Sequence, residues 1–194
     1  MSKYIKSLGV NFDISEALKE IHAHPELWDE ITLRTAHKGV DYFHQSSDIW
    51  LRTNDLKNYD PLHPAEFVKD HHSVWYPSIE QLPAVKDLIF KVMTLVRGEE
   101  LGGVLLTRVP VGGMIKPHTD SGWHQEYHEK FAVQIQGNYL QAFHFEDGSL
   151  SADPGDVYWF DNSFTHWVTN DSGEDRITLI ISIKRSPDLD LRSK

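Results

Sequence analysis

The chain has 194 residues, enough for one sizeable hydrophobic core, and its 19 basic and 29 acidic residues give a net charge of -10 with neutral histidines. No Lys/Arg run overrides that charge, so phosphate backbones and anionic membrane surfaces are poor partners, and nucleic-acid binding is not expected. Cysteine is absent, which excludes disulfides, thiolate ligands and a cysteine nucleophile and leaves His, Asp and Glu to hold any metal.

The N-terminal MSKYIKSLGVNFD lacks an apolar leader core, and no window approaches the roughly 18 apolar residues of a membrane span; a soluble, cytoplasmic setting is expected. Asp13 can N-cap a helix with Glu16 three residues on, followed by Ile14, Ala17, Leu18 and Ile21 at helical spacing. His24 before Pro25 marks another helix start, with Leu27, Trp28 and Ile31 as a narrow apolar face. SDIWLRTND, Ser47 to Asp55, reads as a strand, and PLHPAEF as a turn with one helical turn. The clearest helix begins near Pro83, where Val85, Leu88, Ile89, Val92, Met93 and Val96 form a stripe that Gly98 can end.

After Gly102 the texture changes to β-branched and aromatic runs separated by glycine-containing turns: GVLLTRV, KFAVQIQ, LQAFHFE, DVYWF, THWVTN and RITLIISIK. Such a series indicates a sandwich or barrel rather than βαβ units. The expectation is a single domain over 1–194, mainly β with N-terminal helices: a helical portion over about 1–100 packed on a β core over about 101–186.

Chemistry concentrates in KPHTDSGWH, where His118 and Asp120 are separated by one residue, so their side chains point the same way at a strand end. With a second histidine from a later strand they would make the two-histidine, one-carboxylate triad of non-haem iron sites, which leaves coordination positions open. His166, at the start of the run THWVTN, is the best third ligand. Ten residues later Arg176 heads a strand in which Arg176, Thr178, Ile180 and Ser182 share one face. A buried arginine needs an anionic partner, and with the Thr178 hydroxyl beside it Arg176 is a plausible dicarboxylate anchor.

Through His118–Asp120, His166 and the RIT of Arg176 to Thr178, the sequence resembles the Fe(II)/2-oxoglutarate-dependent dioxygenases. PGDVYWFDNSFTHWVTNDSGEDRITLIISIK is most similar to their aspartyl/asparaginyl β-hydroxylase branch, the resemblance covering roughly Gly103 to Lys184. It implies a double-stranded β-helix, a jelly-roll or cupin-like barrel with the metal in its mouth. It also implies Fe(II) held by His118, Asp120 and His166, and 2-oxoglutarate held through its far carboxylate by Arg176 with Thr178. The implied reaction consumes O2 and 2-oxoglutarate, releases succinate and CO2 and hydroxylates an unactivated C–H bond. The implied substrate is an amino-acid side chain in a peptide or protein, with a free amino acid or small metabolite as the alternative. Two departures stand out: the best-known hydroxylases of this branch have glycine where Asp120 stands, and Lys130 falls near where those enzymes place a second 2-oxoglutarate-binding arginine.

Other residues have competing readings. Trp123, Trp159 and Trp167 can wall off the metal, although core packing is commoner. His124, His128 and His144 read as surface or hydrogen-bonded histidines, His124 with a possible place in the cleft, and the adjacent His71 and His72 make a poor chelate. Arg52 and Arg108 read first as solvent-facing or ion-paired, with contact to an anionic substrate as the alternative, and Lys130 reads equally as a cosubstrate contact or an exposed strand end. A non-catalytic cupin-like binding module is the reading from a different class; it has no need of an open triad or of Arg176.

Overall fold

The computed structural model describes residues 2–34, 45–60, 62–67 and 72–193. Its strands are β1 (Ile5–Asn11), β2 (Ser47–Asn54), β3 (Ser73–Trp75), β4 (Glu100–Val109), β5 (Met114–His118), β6 (Glu129–Gln136), β7 (Gln141–Phe145), β8 (Gly148–Leu150), β9 (Asp156–Phe160), β10 (His166–Asn170) and β11 (Arg176–Lys184). They form a large sheet in the order β1-β9-β6-β11-β4-β2-β3 and a small one in the order β5-β10-β7-β8, paired antiparallel throughout. The two sheets make the double-stranded β-helix that the resemblance implies.

The large sheet is covered on both faces, which explains why β6 and β11 are buried along almost their whole length, polar positions included. Its outer face, including Phe131, Val133, Trp159, Leu179 and Ile181, packs against α1 (Ser15–Ala23) and α3 (Pro83–Val96) in the main core. The inner face joins the small sheet through Ala132, Tyr158 and Phe160 against Phe143, Phe145 and Val168. Two shorter helices are α2 (Pro64–Phe67) and α4 (Trp123–Tyr127). No helix among the described residues is long and apolar enough to cross a membrane.

The stripe of α3 packs as its spacing predicts: Val85, Leu88, Ile89, Val92 and Val96 are buried. Each such side chain contributes about 1.5–3 kcal/mol by leaving water. Its first turn has no cap of its own; both carboxylate oxygens of Glu20 on α1 accept from the Ala84 N–H, at 3.0 and 2.8 Å. The helix ends through Arg97 in the left-handed region (φ 57°), with the Gly98 N–H returning to the Met93 carbonyl at 2.8 Å.

Several local expectations are corrected. Asp13 does not cap α1: its carboxylate accepts from the Ser15 N–H, which starts the helix at Ser15 with Ile14 at the cap position. The predicted helix at Pro25 is a single 3-10 turn over Pro25–Leu27, too short to propagate. The first hundred residues also supply β1, β2 and β3 to the large sheet, of which only β2 is legible as a strand.

Candidate metal centre and its pocket

β5 ends at His118 and β10 begins at His166, and the two residues are directly opposite in the ladder, their ring centroids 4.3 Å apart. In each histidine Nδ1 meets the carbonyl two residues back, Lys116 O for His118 and Phe164 O for His166, at 2.8 Å in both. A carbonyl only accepts, so both Nδ1 atoms carry the proton and both Nε2 atoms present a lone pair. Burial lowers both histidine pKa values, for His166 against the opposing charge of Asp120, and this favours the neutral, ligating form.

Past the end of β5, Asp120 is held by its own N–H donating to the Asn162 carbonyl at 2.9 Å, and its Oδ2 accepts from Asn162 Nδ2 at 2.6 Å. Its Oδ1 lies 3.8 Å from His118 Nε2. Burial pushes the Asp120 carboxyl up, but Lys130, His166, the Asn162 hydrogen bond and His118 outweigh it and leave the group below its ordinary value. One ligand atom from each of His118, Asp120 and His166 lies within 4.8 Å of the others. Two neutral imidazoles and an ionised carboxylate grouped this way fit a divalent iron with open positions.

The triad opens onto a cavity of about 620 Å³ between the sheets. Alternation along β11 puts Arg176, Thr178, Ile180 and Ser182 on its wall. Arg176 is only 3% exposed; its Nη1 donates to Thr178 Oγ1 at 2.6 Å and its Nη2 to the Tyr158 hydroxyl at 3.1 Å. No carboxylate partners it among the described residues. Thr178 Oγ1 in turn donates to Gln134 Oε1 at 3.3 Å, so β6, β9 and β11 together fix the guanidinium.

Lys130 is buried, not an exposed strand end, and its ammonium donates to Ser182 Oγ at 2.7 Å. Burial depresses its pKa to about 8, with Asp120 opposing the fall. Ser182 is four positions beyond Thr178 on β11, so the Lys130 ammonium and the Arg176 guanidinium are bonded to residues about 13 Å apart along the strand. Across the sheet from Thr178, Arg34 grips Asp48 through Nε (2.9 Å) and Nη2 (2.5 Å) and donates to Thr107 Oγ1 at 2.9 Å. Trp50, Tyr59, Phe67 and Leu105 line the same region.

Other candidates separate from the site. Trp159 belongs to the outer core beneath Lys6, because Tyr158 and Phe160 take the inward positions of β9. Trp167 does not wall the cavity either; it stacks on His144 at 5.1 Å, whose Nε2 meets Thr169 Oγ1. The Trp123 side chain and His71 lie outside what is described. His124 lines the cavity, while His72, Arg52 and His128 line a smaller one of about 300 Å³. Arg108 lies over the Trp28 ring. The sequence reading missed Tyr158, Gln134, Asn162, Trp50 and Arg34. For Tyr158 a parity signal existed, its place two residues before Phe160, but with both faces of β9 buried the inward parity was not readable.

A model of the family described as aspartyl/asparaginyl β-hydroxylase matches residues 13–186. No curated protein matches. Among solved structures, a Trichoplax adhaerens prolyl hydroxylase in complex with a hypoxia-inducible-factor peptide fragment aligns at 13% identity and TM-score 0.61, over 94% of this chain and 84% of that one. An oxidoreductase of the 2-oxoglutarate–Fe(II) oxygenase family from Burkholderia pseudomallei aligns at 15% and 0.57, over 94% and 85%. The collagen prolyl hydroxylase of Paramecium bursaria Chlorella virus-1, solved with 2-oxoglutarate, aligns at 11% and 0.51, over 94% and 96%. At these identities the structural likeness establishes the fold.

Proposed function

Because the chain belongs to the aspartyl/asparaginyl β-hydroxylase family, we propose that it hydroxylates an unactivated C–H bond of an amino-acid side chain in a peptide or protein, releasing succinate and CO2. It is a hydroxylase, and its family and its triad support iron(II) and 2-oxoglutarate as cofactors. The observation that carries the reading is that one cavity contains both the open triad and a buried arginine with no carboxylate partner among the described residues.

In this reading His118, Asp120 and His166 hold the metal, which when bound supplies dioxygen activation coupled to decarboxylation of the cosubstrate. Arg176 takes the far carboxylate of 2-oxoglutarate, with Thr178 and Tyr158 orienting the guanidinium and Gln134 holding Thr178. Lys130 faces the metal end, where it serves an anionic oxygen of the cosubstrate. Phe143, Phe160 and Ile180 give this part of the cavity apolar walls that exclude water. The substrate enters past Arg34, Trp50, Tyr59 and Phe67. The peptide class follows the family description; a free amino acid or small metabolite is the second reading, favoured by a cavity of about 620 Å³, which is of small-molecule size.

Anaerobic addition of Fe(II) and 2-oxoglutarate tests the proposal. The wild type should develop a visible metal-to-ligand charge-transfer band and release succinate when oxygen is admitted, and His166→Ala should do neither. A wild type with no band and no succinate would overturn it. Hydroxylation of peptides but not of free amino acids decides between the two substrate readings.

A further inference from the structure

Two of the three candidate ligands depend on one loop, residues 161–165 between β9 and β10. Its Phe164 carbonyl fixes the His166 tautomer, and its Asn162 meets Asp120 twice, once through the backbone and once through the side chain. Asn162 is 2% exposed. A carboxylate is acceptor-only, so the Asn162 atom 2.6 Å from Asp120 Oδ2 has to be the amide nitrogen, which settles the orientation of the amide.

The loop is itself anchored on both sides of Asn162. Asp161 donates its N–H to the Tyr4 carbonyl at 2.9 Å, and its Oδ1 accepts from the Ser163 N–H (3.1 Å) and hydroxyl (2.6 Å). The Phe164 ring stacks on Tyr4 with centroids 3.9 Å apart. Asn162 therefore starts from a fixed point. With Oδ2 tied to the amide, rotation of the carboxylate is stopped with Oδ1 toward His118 Nε2. Asp120 lies beyond the end of β5, where the strand ladder no longer holds it, and so most needs such a restraint.

We infer that Asn162 is a positioning residue that holds Asp120 to a single ligating oxygen, so that the carboxylate completes the triad and leaves the remaining metal positions to cosubstrate and dioxygen. The inference rests on the metal reading of the triad. Without the amide, the carboxylate can turn its second oxygen toward the metal or swing away.

Mn(II) binding under argon, followed by titration calorimetry and by the electron paramagnetic resonance spectrum, tests it on the full chain. Loss of an outer partner of a ligand costs about 10–100-fold in metal affinity. Asn162→Ala should show that loss and a changed spectrum, with thermal unfolding of the metal-free protein near that of the wild type. In an Asp120→Gly background the same substitution should cost less than twofold, because the residue acts through Asp120. Asn162→Asp, equal in size but an acceptor where a donor was, should bind at least as weakly as Asn162→Ala and guards against a cavity effect. Unchanged affinity in Asn162→Ala, or an equal loss with and without Asp120, would overturn the inference. A wild type that binds no Mn(II) would instead remove the metal reading, and this inference with it.

Discussion

Replacing Arg176 by methionine keeps most of the side chain's length and removes its charge and its fork of donors. The guanidinium is 3% exposed, fixed by Thr178 and Tyr158, and lacks a carboxylate partner among the described residues. A far carboxylate of 2-oxoglutarate docked on it would accept two charge-assisted hydrogen bonds. At the lower end of their range, roughly 1.5–2 kcal/mol each, they contribute about 3–4 kcal/mol, or roughly 100- to 1000-fold in affinity. The ligand-free protein should respond in the opposite sense, because an uncompensated buried cation is costly and its removal relieves that cost. Arg176→Met should therefore weaken 2-oxoglutarate binding to the metal-loaded protein by about 100-fold or more in an anaerobic titration of the charge-transfer band. Metal affinity should stay within twofold, and the apo melting temperature should hold or rise. A 2-oxoglutarate affinity within threefold of wild type would refute the anchor assignment.

Two further predictions concern stability. Glu129 and Arg185 form a buried two-point ion pair (2.7 and 2.8 Å), and Glu129 Oε1 also accepts the Leu191 N–H at 2.8 Å, so Glu129→Ala should cost about 3–5 kcal/mol in urea unfolding by stranding the arginine. A loss below 1 kcal/mol would show that Arg185 finds another partner. His128, pressed against Gly102, has its pKa lowered to about 4 by burial, against the hydrogen bond it donates to the His124 carbonyl and with help from the charges of Lys130, Lys184 and Arg192. Since the unfolded chain takes up the proton first, this contribution is complete above about pH 6.5 and is lost as pH falls toward 4. Between pH 7 and pH 5 it amounts to about 2 kcal/mol, so His128→Gln should lose that much less stability over the interval; equal losses in both proteins would reject it.

The core strands and the triad were legible because their signals are local. RITLIISIK runs from Arg176 to Lys184 in the structure as in the sequence reading, and its alternation correctly put Arg176, Thr178 and Ser182 on one face. β1 was not legible: it sits at a sheet edge with one face half-exposed, contains Gly9 at φ 67°, and owes its conformation to pairing with β9 some 150 residues away. Trp159 takes the commoner of its two readings, core packing, and the aromatic that faces the cavity is its neighbour Tyr158. A strand buried on both sides has no polar face to reveal its inward parity, so the contact of Tyr158 with Arg176 was not legible. Asn162 carries no sequence signal, since its role exists only once a loop after β9 meets the end of β5.

The register of β11 has one more consequence. It places Arg176 and Lys130 on the wall of the same cavity, so a chain of net charge -10 is acidic outside and basic within. A dianion approaching through water meets repulsion first and attraction only once inside, where the solvent no longer screens. Salt therefore acts on the two halves of the encounter unequally: it eases arrival at the mouth and has little effect on residence at the anchor. With Arg176 as the proposed anchor, such a barrel would discriminate among small molecules by depth, favouring an anion long enough to reach Arg176 while its other end remains at the triad.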